Sequence, residues 1–183
     1  MALEKPVYSV IKREGKFELR RYEGYISAQV KISARDYREA ANRGFGPLAS
    51  FIFGGNINKQ KIAMTAPVSA EPNSEKIAMT VPVMIQREEF YTVSFVMPRK
   101  YTLETLPIPL DERITFCEHA EKQIAVLRFS GAFNQKNFEK NILRLQAWIE
   151  KEGMKAKGEA NVAGYNPPFV PWFLKHNEIL IEV

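Results

Sequence analysis

Two stretches of the chain follow one plan. In the first, Ile26, Ala28, Val30 and Ile32 alternate with Ser27, Gln29, Lys31 and Ser33, a helix-spaced segment follows, and Gly54-Gly55 closes it. In the second, Gln123–Phe129 alternates with Ala125, Leu127 and Phe129 on one face. Asn134 is placed to cap a helix carrying Phe138, Ile142, Leu145 and Ile149 inward, and Gly153 closes it. A period of two followed by a period near 3.6, twice in the same order, predicts an α+β chain. Its pseudo-two-fold β-α-β-β-like halves, about residues 7–98 and 113–183, share one sheet with a main helix on each half. A length of 183 residues suits a single domain, and 45% hydrophobic with 26% charged residues is a composition that folds without metal or disulfide support.

The first helix is the irregular one. Asp36 or a neighbour is placed to cap it, and Tyr37, Ala41, Phe45, Leu48 and Ile52 recur at helical spacing. Gly44 and Gly46 weaken the pattern and Pro47 removes a backbone donor, which predicts a kink, or a break with Pro47 opening a second short helix.

Further strands are expected around Tyr8, Val10 and Ile11, over Phe17–Tyr22, over Phe90–Met97 with Tyr91, Val93, Phe95 and Met97 on one face, and at Glu178–Val183. Pro107 and Pro109 make 99–113 an irregular connection. The octapeptide Lys61-Ile-Ala-Met-Thr-Ala-Pro-Val68 recurs as Lys76-Ile-Ala-Met-Thr-Val-Pro-Val83, and the seven residues between them suffice to turn an antiparallel hairpin. Pro67 and Pro82 each remove a ladder donor, so both copies are expected at an edge, a bulge or a strand end. Met64 and Met79 are read as core packing rather than as ligands.

Catalytic patterns are weak. No serine sits in a Gly-x-Ser-x-Gly elbow, and neither phosphate-cradling nor dinucleotide glycine motif is present. The single cysteine, Cys117, excludes an internal disulfide, suits a reducing cytoplasm and reads as a buried structural thiol. No apolar run reaches the roughly 20 residues of a membrane span, and no segment near Met1 has signal-peptide character, so a cytoplasmic chain is expected. The net charge is +5, but 26 basic and 21 acidic residues are interleaved along the chain, which argues against a nucleic-acid partner. His119 and His176 with one cysteine cannot form a tetrahedral zinc set without carboxylates, although either could serve as one axial ligand to a haem iron. The aromatic set Phe45, Phe51, Phe53, Tyr165, Phe169, Trp172 and Phe173 suits either a core or the wall of a pocket for a flat apolar ligand.

Several ordered motifs carry a resemblance. Gly54-Gly55-Asn56 ahead of Lys61–Val68, Phe95-Val-Met-Pro98, Phe129-Ser-Gly131 and Gly164-Tyr-Asn-Pro-Pro168 leading into His176–Val183 resemble the SOUL haem-binding protein family, over nearly the full chain. More distantly the chain is similar to effector-binding domains of the gyrase-inhibitor type. The resemblance implies a twisted, barrel-like antiparallel sheet of about eight strands with two long helices, and a non-enzymatic binder of haem or another tetrapyrrole as its small-molecule ligand.

The family's porphyrin surface lies along the first helix and the Pro-Pro loop. Carried over residue by residue, that surface places Arg43 and Lys175 toward the propionates, Phe45, Leu48, Phe51 and Phe173 against the ring, and His176 beside them. Val170 stands where some members carry a lysine, Lys175-His176 where arginines are common, and the axial histidine of some members has no counterpart between Ile32 and Phe53. The alternatives are an effector- or drug-binding module for another flat apolar molecule in the same cleft, a hydrolase using a cleft carboxylate such as Glu178 or Glu182, and a protein-interaction module.

Overall fold

The computed structural model describes residues 5–59, 61–62, 68–73, 89–166 and 170–183. Met64, Met79, Pro67, Pro82, Phe169 and most of the doubled octapeptide lie outside the described residues, as does the side chain of Trp172.

Among the described residues nine strands and two α-helices follow one another as β1 (Tyr8–Glu14), β2 (Phe17–Tyr22), β3 (Tyr25–Ala34), α1 (Tyr37–Ile52), β4 (Val68–Asn73), β5 (Glu89–Val96), β6 (Ile114–His119), β7 (Lys122–Phe129), α2 (Gln135–Lys151), β8 (Asn161–Gly164) and β9 (Asn177–Glu182). All pairings are antiparallel, and the sheet runs β1-β2-β7-β9-β8-β4-β5-β3-β6, open, with β1 and β6 as its edges. The order β3-α1-β4-β5 recurs as β7-α2-β8-β9, and β4 pairs with β8 where the two halves meet. Each half also lends the other its leading strand: β2 precedes β3 but pairs with β7, and β6 precedes β7 but pairs with β3. The sequence periodicity shows the repeat and not this exchange, because periodicity records which face a side chain takes and not which strand lies alongside.

One face of the sheet carries the helices. α1 packs on β3, β4 and β5, and α2 on β7 and β9. Val30, Val93, Leu127, Ile179, Leu48 and Phe138 lie in the core between them. Tyr91, Val93, Phe95 and Met97 share the buried face as expected.

The first helix differs from expectation in two ways. The expected break at Pro47 does not occur and the helix runs on through it, because Gly46 has no Cβ to clash with the proline ring and the helical conformation before it remains open. Its buried stripe is Tyr37, Ala40, Gly44, Leu48, Phe51 and Ile52, one position away from the expected Ala41 and Phe45. Gly44 causes the shift: a Cβ there would lie 2.5 Å from the Cβ of Val93, so only glycine lets α1 approach β5 this closely.

Capping follows the sequence. The side chains of Asp36 and Asn134 accept hydrogen bonds from the backbone N–H of Glu39 and Asn137, at 2.8 and 3.0 Å. Gly153, φ +69°, turns the chain beyond the second helix. β1 is exposed along its whole length, so Tyr8, Val10 and Ile11 contribute an edge rather than core. Cys117 is half-buried on the edge strand β6, not deep in the core, because β6 has a neighbour on one side only.

Candidate functional site

The helix-free face of the sheet carries a small apolar cluster of Tyr22, Ile124, Val126 and Leu180 and, beside it, a group of buried charged and polar side chains. β2 alternates so that Phe17 and Leu19 point to the helices while Glu18, Arg20 and Tyr22 point away, and all three of the latter are buried. Arg20, 0% exposed, donates from Nη1 and Nη2 to the carboxylate of Glu178 on β9 at 3.0 and 2.8 Å, and from Nε to Glu18 at 2.7 Å. Its Nη1 also meets the Tyr22 hydroxyl at 3.0 Å. Tyr165 donates to Glu178 at 2.6 Å, and His176 Nε2 lies 3.0 Å from the same carboxylate.

Burial alone would raise the pKa of Glu178, but hydrogen bonds from His176, Arg20 and Tyr165 and the Arg20 charge outweigh it and bring the value down to about 2. The ionised carboxylate accepts, so His176 Nε2 is the donor and only Nδ1 of that ring is left. Burial raises the Tyr165 and Tyr22 phenols, so both stay protonated; Tyr165 donates to Glu178, while Tyr22 accepts from Arg20 Nη1.

A cleft lined by two members of this network, Tyr22 and Tyr165, adjoins a larger cavity. The cleft has a volume of about 200 Å³ and is also lined by Tyr25, Glu71, Asn161 and Glu182, among others. Asn161 Oδ1 is buried there and has no hydrogen-bond partner among the described residues. Next to it, where β3 begins and β5 and β6 end, lies a cavity of about 600 Å³ whose lining includes Lys5, Val7, Tyr25, Met97, Arg99, Leu103 and His119. Pro6, Tyr25 and Val96 line both.

The seven residues expected at a porphyrin surface are dispersed. Leu48 and Phe51 are 0% and 1% exposed and belong to the core, where the phase of α1 puts them; turning them outward would cost roughly 1.5–3 kcal/mol each in lost burial. Phe45 is 40% exposed and rests edge-on against Phe95, and Arg43 donates to the backbone carbonyl of Ser33 and pairs with Glu39. Phe173 is exposed and Lys175 half-buried in the segment leading to β9, while His176 belongs to the Glu178 network. Neither cavity is lined by any of the seven.

Sequence reasoning missed Arg20, Glu18 and Tyr25. The alternation of Phe17-Glu-Leu-Arg-Arg-Tyr22 was the available signal, but a charged face on a strand ordinarily reads as wetted. Among the described residues there is no cluster of three or more metal-ligating side chains, and no helix is long and apolar enough to cross a membrane.

With this fold and these cavities in view, the chain matches the SOUL heme-binding protein family over residues 3–182, and it belongs to that family. It is 27% identical to human heme-binding protein 2 over 168 residues, 90% of this chain and 77% of that one. It is also 25% identical to the mouse heme-binding protein 2 over 195 residues, 99% and 90%. Among solved structures, the EcmrR C-terminal domain superposes with a TM-score of 0.65 at 10% identity, covering 96% of this chain and 97% of that one. A hydrolase from Listeria innocua gives 0.60 at 11% identity, with 93% of each covered. SAV2435 bound to tetraphenylphosphonium gives 0.54 at 11%, with 91% and 93% covered. At these identities the structural likeness shows a shared fold.

Proposed function

We propose that this protein binds haem or another tetrapyrrole as cargo, without catalysing a reaction on it, in a reducing, cytoplasmic setting. Membership of a family described by haem binding carries this reading. The larger cavity supports it, since about 600 Å³ falls within the roughly 300–1,000 Å³ typical of small-molecule sites. The absence of catalysis is supported by how the carboxylates are engaged. Glu178 is buried against Arg20, and Glu182 pairs with Lys122 at 3.4 Å, so neither is poised as a free base.

A second reading is an effector- or drug-binding module. It is favoured by the smaller cleft, where the rings of Tyr22 and Tyr25 and the Glu71 carboxylate suit a lipophilic cation. The shared fold of SAV2435, a protein bound to a lipophilic cation, adds to it. Thermal-shift measurements with hemin, protoporphyrin and tetraphenylphosphonium separate the two, because a ligand of the native state stabilises by mass action. A rise with the porphyrins alone supports the first reading, and a rise with the cation alone replaces it with the second.

A further inference from the structure

We propose that the loops at the C-terminal end of α1, residues 53–61 and 108–113, form a membrane-docking surface that seats Phe53, Ile57, Ile108 and Leu110 in the headgroup region of an anionic bilayer. The inference is independent of the tetrapyrrole reading, and it concerns docking on a lipid surface rather than spanning it.

Exposed apolar side chains gather here. Among the described residues six large apolar side chains are 60% or more exposed, and four of them are Phe53, Ile57, Ile108 and Leu110. Strand-like pairing brings the two loops together. Asn56 and Pro109 form an antiparallel bridge, with the Ile57 N–H donating to the Ile108 carbonyl and the Leu110 N–H to the Gly55 carbonyl, each at 3.0 Å. Alternation across that bridge puts Ile57, Ile108 and Leu110 on one side and Asn56 and Pro109 on the other, where Asn56 is buried. Phe53 ends α1 two residues before Gly55.

The loop that presents them is anchored from within. A Cβ at Gly55 would lie 2.7 Å from the Ser50 carbonyl oxygen, so only glycine lets the chain turn back this tightly on the helix. Asn56 Nδ2 donates to the Phe51 carbonyl at 3.2 Å, and the Ile62 N–H returns to the Ile52 carbonyl at 2.7 Å. The Gly54-Gly55-Asn56 motif therefore holds the loop by its backbone and one buried amide, and its apolar side chains are left outside. A surface already fixed in this way loses little freedom on docking.

Charge selects the occupant. Lys59 and Lys61 are exposed and have no carboxylate partner among the described residues. On the facing loop Asp111 is neutralised by Arg113, which leaves Glu112 against the two lysines and a positive balance at the rim. Apolar side chains beside free lysines match a bilayer that carries anionic headgroups. A second copy of the chain is a poorer fit, since like charges would meet and four side chains are far fewer than the roughly 20–30 residues a side of a standard interface.

The test is co-sedimentation with vesicles of phosphatidylcholine, with and without about one third phosphatidylserine, at about 0.1 M and about 1 M salt. The proteins are the wild type, Ile57→Ser with Ile108→Ser, Lys59→Ala with Lys61→Ala, and Leu143→Ser as an exposed leucine on α2. An unchanged unfolding midpoint confirms that each variant folds, and Leu110→Ser replaces the isoleucine pair otherwise. The wild type is expected to bind the anionic vesicles at the lower salt and to lose about tenfold or more in either double variant, in line with about fivefold per lysine, while Leu143→Ser stays within about twofold. The lysine effect should vanish at the higher salt. No wild-type binding to anionic vesicles, equal binding to both vesicles, or binding that survives the isoleucine substitutions overturns the inference. A wild-type dimer in analytical ultracentrifugation that the isoleucine substitutions convert to monomer, without vesicle binding, overturns it in favour of self-association.

Discussion

The guanidinium of Arg20 on β2 reaches past β7 to hold the carboxylate of Glu178 on β9 through two hydrogen bonds, at 3.0 and 2.8 Å, with both side chains buried. The pair ties the N-terminal region to the last strand. Desolvating two charges is costly, and the site offsets it with further hydrogen bonds: Glu18 and Tyr22 meet the guanidinium, and Tyr165 and His176 meet the carboxylate.

Removing one partner leaves the other charge uncompensated. Glu178→Gln is expected to destabilise the fold by about 3–5 kcal/mol, discounted to the extent that Glu18 continues to neutralise Arg20. Urea unfolding of the variant beside wild type measures it, and a loss under about 1 kcal/mol would show that the network is not a stabilising element.

The same carboxylate sets an acid limit. Its native pKa of about 2 lies below the ordinary value of 4.5, so the stability it contributes is present above pH 4.5 and is lost as the pH falls toward 2. Over that window it accounts for about 3 kcal/mol, and the wild type should lose stability more steeply between about pH 4.5 and 2 than Glu178→Gln does. Parallel slopes for the two proteins would remove Glu178 as the cause.

Close approach of α1 to β5 depends on Gly44. Gly44→Ala would put a methyl group 2.5 Å from the Val93 Cβ and is expected to cost about 1–3 kcal/mol, with part of the loss recovered in Gly44→Ala combined with Val93→Ala. Additive losses in the double variant would contradict the contact.

Helix capping gives a smaller effect. Asn134→Ala removes the acceptor for the Asn137 N–H and should cost about 1 kcal/mol, as should Asp36→Ala at the first helix, both read by thermal or urea unfolding.

Much of the fold is legible in the sequence because it rests on local rules. Tyr91, Val93, Phe95 and Met97 alternate and are buried together, and Asn134 caps the second helix as its chemistry suggests. The phase of α1 was hidden because its cause, Gly44 against Val93, is a contact between elements and leaves glycine looking only like a weak helix former. Leu48 and Phe51, placed at a ligand surface by the family resemblance, lie in the core. The site residues on the helix-free face were harder still. Glu18, Arg20 and Glu178 are charged residues on strands, and only the exchange of leading strands, which sets β2 beside β7 and near β9, reveals that they bury one another. Tyr25 and His119 sit far apart in the chain, and their pairing is a matter of register between β3 and β6.

The central claim is that this chain carries a tetrapyrrole. Hemin titrated into micromolar protein should give a shifted Soret band that saturates at one equivalent, whereas a spectrum indistinguishable from free hemin up to excess ligand would contradict the account.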